Sequence, residues 1–171
     1  MGGHSDVQTN SPADSSGGAR STVEVTTPDA LLAVPGYAAR RLYQAYLAAW
    51  VRTVDSTLTG PQFAVLTAVE VYPGVDQGSL ASSVALDRST MADIARRLED
   101  RGLLIRETAE HDGRRKLLYL SEEGVRTLRD VNIRAKKLDA KLLADYPAAD
   151  RKRLVAELTK LAAHWESITA E

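Results

Sequence analysis

Two aspartates that can each open a helix, a glycine that can close one, and a cationic run beyond it constrain this chain most. Asp76 precedes a short helical stretch over residues 77–84, and Asp87 precedes a second over 88–101. An aspartate at such a position accepts a hydrogen bond from a backbone N–H near the helix start, which otherwise has no partner. Gly102 stands where the second stretch ends, as a C′ residue does. Residues 103–107 (Leu-Leu-Ile-Arg-Glu) and 116–120 (Lys-Leu-Leu-Tyr-Leu) are strand candidates around a polar loop, 108–115, containing Asp112-Gly113. They predict a β-hairpin with a charged tip.

Helices flank this region. Tyr43, Tyr46, Leu47, Trp50, Val51 and Val54 recur at spacings of three and four, an apolar stripe on one helix face. Pro35 suits the first turn of that helix, where a missing N–H costs nothing. Thr59-Gly60-Pro61-Gln62 is a capping box, and it opens a helix through Phe63, Leu66 and Val69 that stops at Tyr72-Pro73-Gly74. Ser121-Glu122-Glu123-Gly124 starts another, with Val125, Leu128, Val131, Ala135, Leu138 and Leu142 on one side; Pro147 interrupts it. A last helix sets Leu154, Leu158, Leu161, Trp165 and Ile168 in a heptad-like seam. The order of four helices, a hairpin and two helices predicts a mainly α fold with a small β-hairpin wing, a winged helix-turn-helix.

Composition sets the outer bounds. The chain has 171 residues, with 22 basic against 23 acidic side chains and no cysteine. Disulfides, thiolate metal sites and thiol nucleophiles are thereby excluded, and a cytoplasmic setting is expected. No apolar run approaches the roughly 20 residues of a membrane-spanning helix, so no membrane partner is expected. Residues 1–30 are rich in Ser, Thr, Gly, Asp and Pro, a composition that predicts a mobile tail. That tail has no apolar centre, so it is not read as a secretory signal. Its Met1-Gly2 start lacks the hydroxyl residue at position 6 that myristoylation wants, because Asp6 stands there.

The second capped helix carries the chemistry. Met91, Ile94, Ala95 and Leu98 fall at i, i+3, i+4 and i+7, a core-facing stripe. The opposite face presents Ser89, Ala92, Asp93 and Arg96, flanked by Arg88, Thr90 and Arg97. Small hydroxyl residues permit close approach to DNA, and arginine has the reach and forked geometry for guanine N7 and O6. At the hairpin tip Arg114, Arg115 and Lys116 are consecutive cations suited to phosphates and a narrow minor groove. His111 adds a donor, and Asp112 is placed for a salt bridge that shapes the tip. Acidic neighbours oppose the cluster, since residues 87–116 hold eight positive and seven negative side chains.

With these residues in view the chain resembles the MarR-type bacterial transcriptional regulators, from about residue 31 to the C-terminus. The matching phrases are Leu58-Thr59-Gly60-Pro61-Gln62-Phe63-Ala64-Val65-Leu66, Leu86-Asp87-Arg88-Ser89-Thr90, Arg97-Leu98-Glu99-Asp100-Arg101-Gly102-Leu103 and Leu120-Ser121-Glu122-Glu123-Gly124. Asp112 and Arg114 match the family's D-x-R wing element. The resemblance implies a MarR-type domain over 31–171, with dimerisation helices at 31–56 and 121–171 and a winged-helix DNA-binding lobe at 57–120. It implies a homodimer on double-stranded, pseudo-palindromic operator DNA. Position 93 departs from the family, being acidic: Asp93 either accepts from cytosine N4 or turns away to pair with Arg96 or Arg97.

The resemblance further implies a repressor released by a small-molecule effector. Tyr37, Arg40, Arg41, Tyr43, Tyr46, Trp50 and Phe63 mix aromatic faces with cations, which suits an aromatic carboxylate or an anionic coenzyme A thioester. The same residues also suit an ordinary aromatic core. Two other readings stand beside this one: a winged-helix module acting through protein contacts, and a small enzyme. The enzyme has least support, because His4, His111 and His164 lack metal-binding spacing and no nucleophile elbow or phosphate loop occurs. No cofactor or metal is implied.

Overall fold

A computed structural model describes residue 2 and residues 26–168. The chain divides into two compact units, Met1–Ala38 and Ala39–Glu171. Among the described residues are seven helices and two strands: α1 (Asp29–Leu32), α2 (Pro35–Thr53), α3 (Gly60–Val71), α4 (Gln77–Ser83), α5 (Arg88–Asp100), β1 (Leu104–Ala109), β2 (Asp112–Leu120), α6 (Glu122–Leu142) and α7 (Ala148–Ile168). The expected mobile tail falls mostly on residues outside those described. The short helix α1 is an addition to the expected order. No described helix is long and apolar enough to cross a membrane.

In the first unit no residue of α1 is buried, and the Thr27 and Tyr37 hydroxyls lie 3.4 Å apart.

In the second unit the helix starts are made by the residues that the sequence nominates. Thr59 and Gln62 form the full capping box of α3, Gln62 Oε1 accepting from the Thr59 N–H at 3.0 Å. Asp76, Asp87 and Ser121 cap α4, α5 and α6 through Ser79, Thr90 and Gly124 amides. Gly102 takes φ +70°, and two bonds close the end of α5: Gly102 N–H to Glu99 C=O at 2.8 Å and Leu103 N–H to Leu98 C=O at 2.9 Å. This is a Schellman closure, and it turns the chain directly into β1.

One core joins these elements. Val65, Leu66 and Val69 from α3, Leu80 and Ala81 from α4, and Met91, Ile94, Ala95 and Leu98 from α5 are buried together with Leu103, Leu104 and Leu118. Leu128, Val131, Ala135 and Leu138 of α6 complete it, with Trp50 at the end of α2 and Val54 and Leu58 after it. Each fully buried aliphatic side chain contributes about 1.5–3 kcal/mol of transfer free energy, so α5 is held chiefly by its inner face.

Several expected apolar faces are covered only in part. On α2 Tyr43 and Val51 are exposed, while Tyr46 packs against the core and Trp50 and Val54 are buried in it. Val125 and Leu142 of α6 are exposed at the two ends of a stripe whose middle is buried. No residue of α7 is buried, and Leu158, Leu161 and Ile168 of its seam are exposed.

The hairpin differs from its expected form. Both strands run further, so the expected loop 108–115 shrinks to a turn at Glu110 and His111, and Asp112-Gly113 lies in β2. The reason is a bulge. Thr108 pairs with Lys116 but Ala109 pairs with Asp112, so Gly113, Arg114 and Arg115 have no opposite residues and are pushed out of the ladder. The base of the wing is tied to the lobe by residues 74–76, where Gly74 N–H donates to Leu118 C=O at 2.8 Å and Asp76 bridges to Leu117. Gly74 is required there: its φ is +77°, and a Cβ would stand 2.7 Å from the Tyr119 hydroxyl.

Candidate nucleic-acid interface

Burying Met91, Ile94, Ala95 and Leu98 leaves Arg88, Ser89, Thr90, Asp93, Arg96 and Arg97 exposed on α5, as their spacing requires. Ala92 is half-buried. Arg96 sits between two acids of its own helix, 3.6 Å from Asp93 and 3.6 Å from Asp100. Of the two expected positions of Asp93, the structure therefore shows pairing with Arg96. All three groups are more than half exposed, so these pairs are weak.

At the start of α5 the cap changes what the hydroxyls can do. Asp87 accepts from the Ser89 hydroxyl, from the Thr90 hydroxyl at 2.5 Å and from the Thr90 N–H at 2.8 Å. Those bonds, the Ser89 hydroxyl first, hold the Asp87 carboxyl far below the usual carboxylate range. Both hydroxyl hydrogens are thus spent inward, and what Ser89 and Thr90 offer outward is an oxygen that accepts. Such an oxygen suits an amino group on a base edge rather than a phosphate.

The wing cations divide in their partners. Asp112 does not form the expected salt bridge; its carboxylate accepts from the Arg114 backbone N–H at 3.0 Å and so shapes the bulge through the main chain. Among the described residues the Arg88, Arg97 and Arg114 side chains have no ion-pair partner. Lys116 Nζ donates to the Thr108 hydroxyl at 2.6 Å, and His111 is exposed at the turn. Arg115 reaches across to the cap of α4, its guanidinium 3.0 Å from the Asp76 carboxylate. The bonds from the Ser79 hydroxyl and amide, followed by Arg115, hold the Asp76 carboxyl down to about 2.

Together these residues line an open cleft of about 530 Å³ between α4, the start of α5 and the bulge of β2: Asp76, Gly78, Ser79, Ser82, Arg88, Arg114, Arg115 and Lys116. Among the described residues lining it, four are cations and one, Asp76, is an acid, and of the four Arg115 alone pairs with it. Sequence reading missed the α4 side of this cleft, because Asp76 and Arg115 are far apart along the chain and neither carries a local sign of the other.

The aromatic and cationic set on α2 is placed differently. Trp50 is buried, its indole N–H donating to Leu58 C=O at 2.7 Å, with the Phe63 ring 5.3 Å away and the Tyr46 ring 5.9 Å away. Arg40, Arg41 and Tyr43 are exposed, and Tyr37 belongs to the first unit. Burial first, then the nearby Asp139 charge, pushes the Tyr46 hydroxyl up.

Comparison with known proteins agrees with this geometry. A MarR family model matches residues 58–116, from the cap of α3 into β2. The transcriptional regulator HosA of Escherichia coli O157:H7 is 30% identical over 122 residues, covering 71% of this chain and 90% of HosA. The PcaV transcriptional regulator from Streptomyces coelicolor, solved with its natural ligand, has a TM-score of 0.76 at 37% identity, covering 81% of this chain and 98% of PcaV. Bordetella bronchiseptica BpsR, solved in a study of how 6-hydroxynicotinic acid regulates its DNA binding, has a TM-score of 0.69 at 27% identity, covering 74% of this chain and 97% of BpsR. The chain belongs to the MarR family: it is a winged-helix, DNA-binding transcriptional regulator.

Proposed function

We propose that the protein is a homodimeric repressor that binds a pseudo-palindromic operator and is released by a small anionic effector. The observation that carries this reading is the joining of one outward helix face with one cationic cleft. Arg88, Ser89, Thr90, Asp93, Arg96 and Arg97 of α5 face the major groove, and His111, Asp112, Arg114, Arg115 and Lys116 of the wing meet the adjoining backbone and minor groove. Two copies of α5 must stand about 34–36 Å apart to enter successive major grooves. The uncovered apolar seam of α7 and the exposed residues of α2 support helices 31–56 and 121–171 as the surface that fixes this spacing.

The effector is a small aromatic anion or an anionic thioester, drawn by Arg40, Arg41 and the aromatic residues of α2 and α3. BpsR supports this class, since its DNA binding is regulated by an aromatic acid. A ligand acts only through unequal affinity for two states, and a 100-fold change in operator occupancy needs about 2.7 kcal/mol of coupling. Sedimentation of the protein with a duplex from its own upstream region tests the proposal. One dimer per duplex is expected, dissociating when aromatic acids or coenzyme A thioesters are added. A monomer, or a complex indifferent to every such anion, contradicts the dimer or the effector part respectively.

A further inference from the structure

We propose that Asp76 is a built-in competitor for the DNA backbone, holding Arg115 at the cleft until a phosphate takes it over. The inference rests on the DNA-binding reading and adds to it a residue on α4 that limits affinity. Asp76 is the one acid among the residues lining the cleft, facing Arg88, Arg114, Arg115 and Lys116. Its carboxylate is anchored on α4, accepting from the Ser79 amide at 3.1 Å and the Ser79 hydroxyl at 2.7 Å, bonds that do not involve Arg115. Its side chain is 20% exposed, whereas that of Arg115 is 56% exposed and rides on the bulge of β2. The anion is therefore fixed and the cation is the partner free to move.

Arg115 gives Asp76 one N–H at 3.0 Å out of the five a guanidinium carries. The remaining donors stay available to an incoming phosphate, so transfer does not require the pair to break first. Water screens an ion pair with so exposed a cation, which makes the exchange easy. After the exchange the Asp76 charge is left facing a polyanion. That residual repulsion lowers affinity for every sequence alike, since no base edge is involved.

Asparagine and serine cap helices about as well as aspartate, so Asp76→Asn and Asp76→Ser remove the charge and keep the cap. The experiment measures binding of the full-length protein and both variants to its upstream duplex and to an unrelated duplex, over a range of salt. Each additional effective phosphate contact steepens the log–log salt slope by about 0.9, which is about fivefold in affinity at 0.15 M salt. Both variants are expected to bind both duplexes about fivefold more tightly with that steeper slope. Adding Arg115→Ala to Asp76→Asn is expected to remove most of the gain. Folded variants with the wild-type slope and affinity, or with weaker binding, overturn the competitor role while leaving DNA binding intact. Wild-type protein that binds neither duplex overturns the DNA-binding reading itself.

Discussion

Arg134 of α6 closes the end of α2 through Asp55: its guanidinium lies 3.0 Å from the Asp55 carboxylate and donates to Val54 C=O at 2.6 Å. Asp55 in turn accepts the Thr57 and Leu58 amides, each at 2.7 Å. Burial pushes the Asp55 carboxyl up, but the Leu58 and Thr57 amides, the Thr57 hydroxyl and the Arg134 charge together outweigh it and hold the group below its ordinary value. From the other side Arg101, the cap at the end of α5, donates to Thr57 C=O at 2.9 Å. The loop between α2 and α3 is thus gripped both by α6 and by the end of α5.

Arg134→Ala is expected to lower unfolding free energy by about 1 kcal/mol, the value of charged hydrogen bonds discounted for partial exposure. It should also weaken operator binding by loosening α5, without changing the salt slope, because Arg134 is not among the residues that line the cationic cleft. Urea unfolding and anisotropy titrations read the two effects. A flattened slope would place Arg134 in the contact surface instead.

Gly124 of α6 is fixed by a close approach rather than by its own torsions. A Cβ there would collide with the Leu103 carbonyl oxygen, which already accepts the Ser121 N–H at 3.2 Å. Gly124→Ala must therefore push α6 away from the start of the wing. A loss of about 1–3 kcal/mol is expected, visible as a lower melting temperature. A variant as stable as wild type would show that the contact yields at no cost.

Base reading on α5 is testable residue by residue. Arg96→Ala should change the ranking of operator variants more than overall affinity, since a good arginine–guanine contact discriminates by about 1–3 kcal/mol. Thr90→Val keeps the N–H that Asp87 caps and removes the outward oxygen. It should cost up to about tenfold in preference at one base pair that presents an amino group. Binding to a library of single-base operator variants checks both; unchanged rankings would remove these residues from readout.

Acid stability should carry a contribution from Asp76. Its folded value lies near 2 against an ordinary 3.8, so its stabilisation is complete above about pH 4 and disappears as pH falls toward 2. The Asp76→Asn variant should lose less stability than wild type over that window, measured as melting temperature against pH. Identical acid limbs would mean that Asp76 keeps its ordinary value in the folded protein.

Local chemistry made much of this molecule legible in its sequence. Thr59, Asp76, Asp87, Ser121 and Gly102 each bond to neighbours a few residues away, so their spacing alone foretells the helix ends. The core face of α5 was legible for the same reason. The bulge of β2 was not, because it depends on which residues of two strands face each other, and Asp112-Gly113 looks like a turn when read alone. Nor was the link from Asp76 to Arg115, or those from Arg101 and Arg134 to the loop after α2, since contacts between distant residues leave no periodic trace. The stripes of α2, α6 and α7 were legible as apolar, but periodicity does not tell which parts one chain covers.

The most direct test of the DNA-contact surface is the salt dependence of operator binding by wild type and Arg114→Ala, followed by fluorescence anisotropy on the upstream duplex. Wild type should show log affinity falling steeply and linearly with log salt. Arg114→Ala should bind every duplex more weakly, with a slope shallower by about 0.9 and unchanged melting. Equal affinities and equal slopes for the two proteins would contradict a wing that grips the DNA backbone.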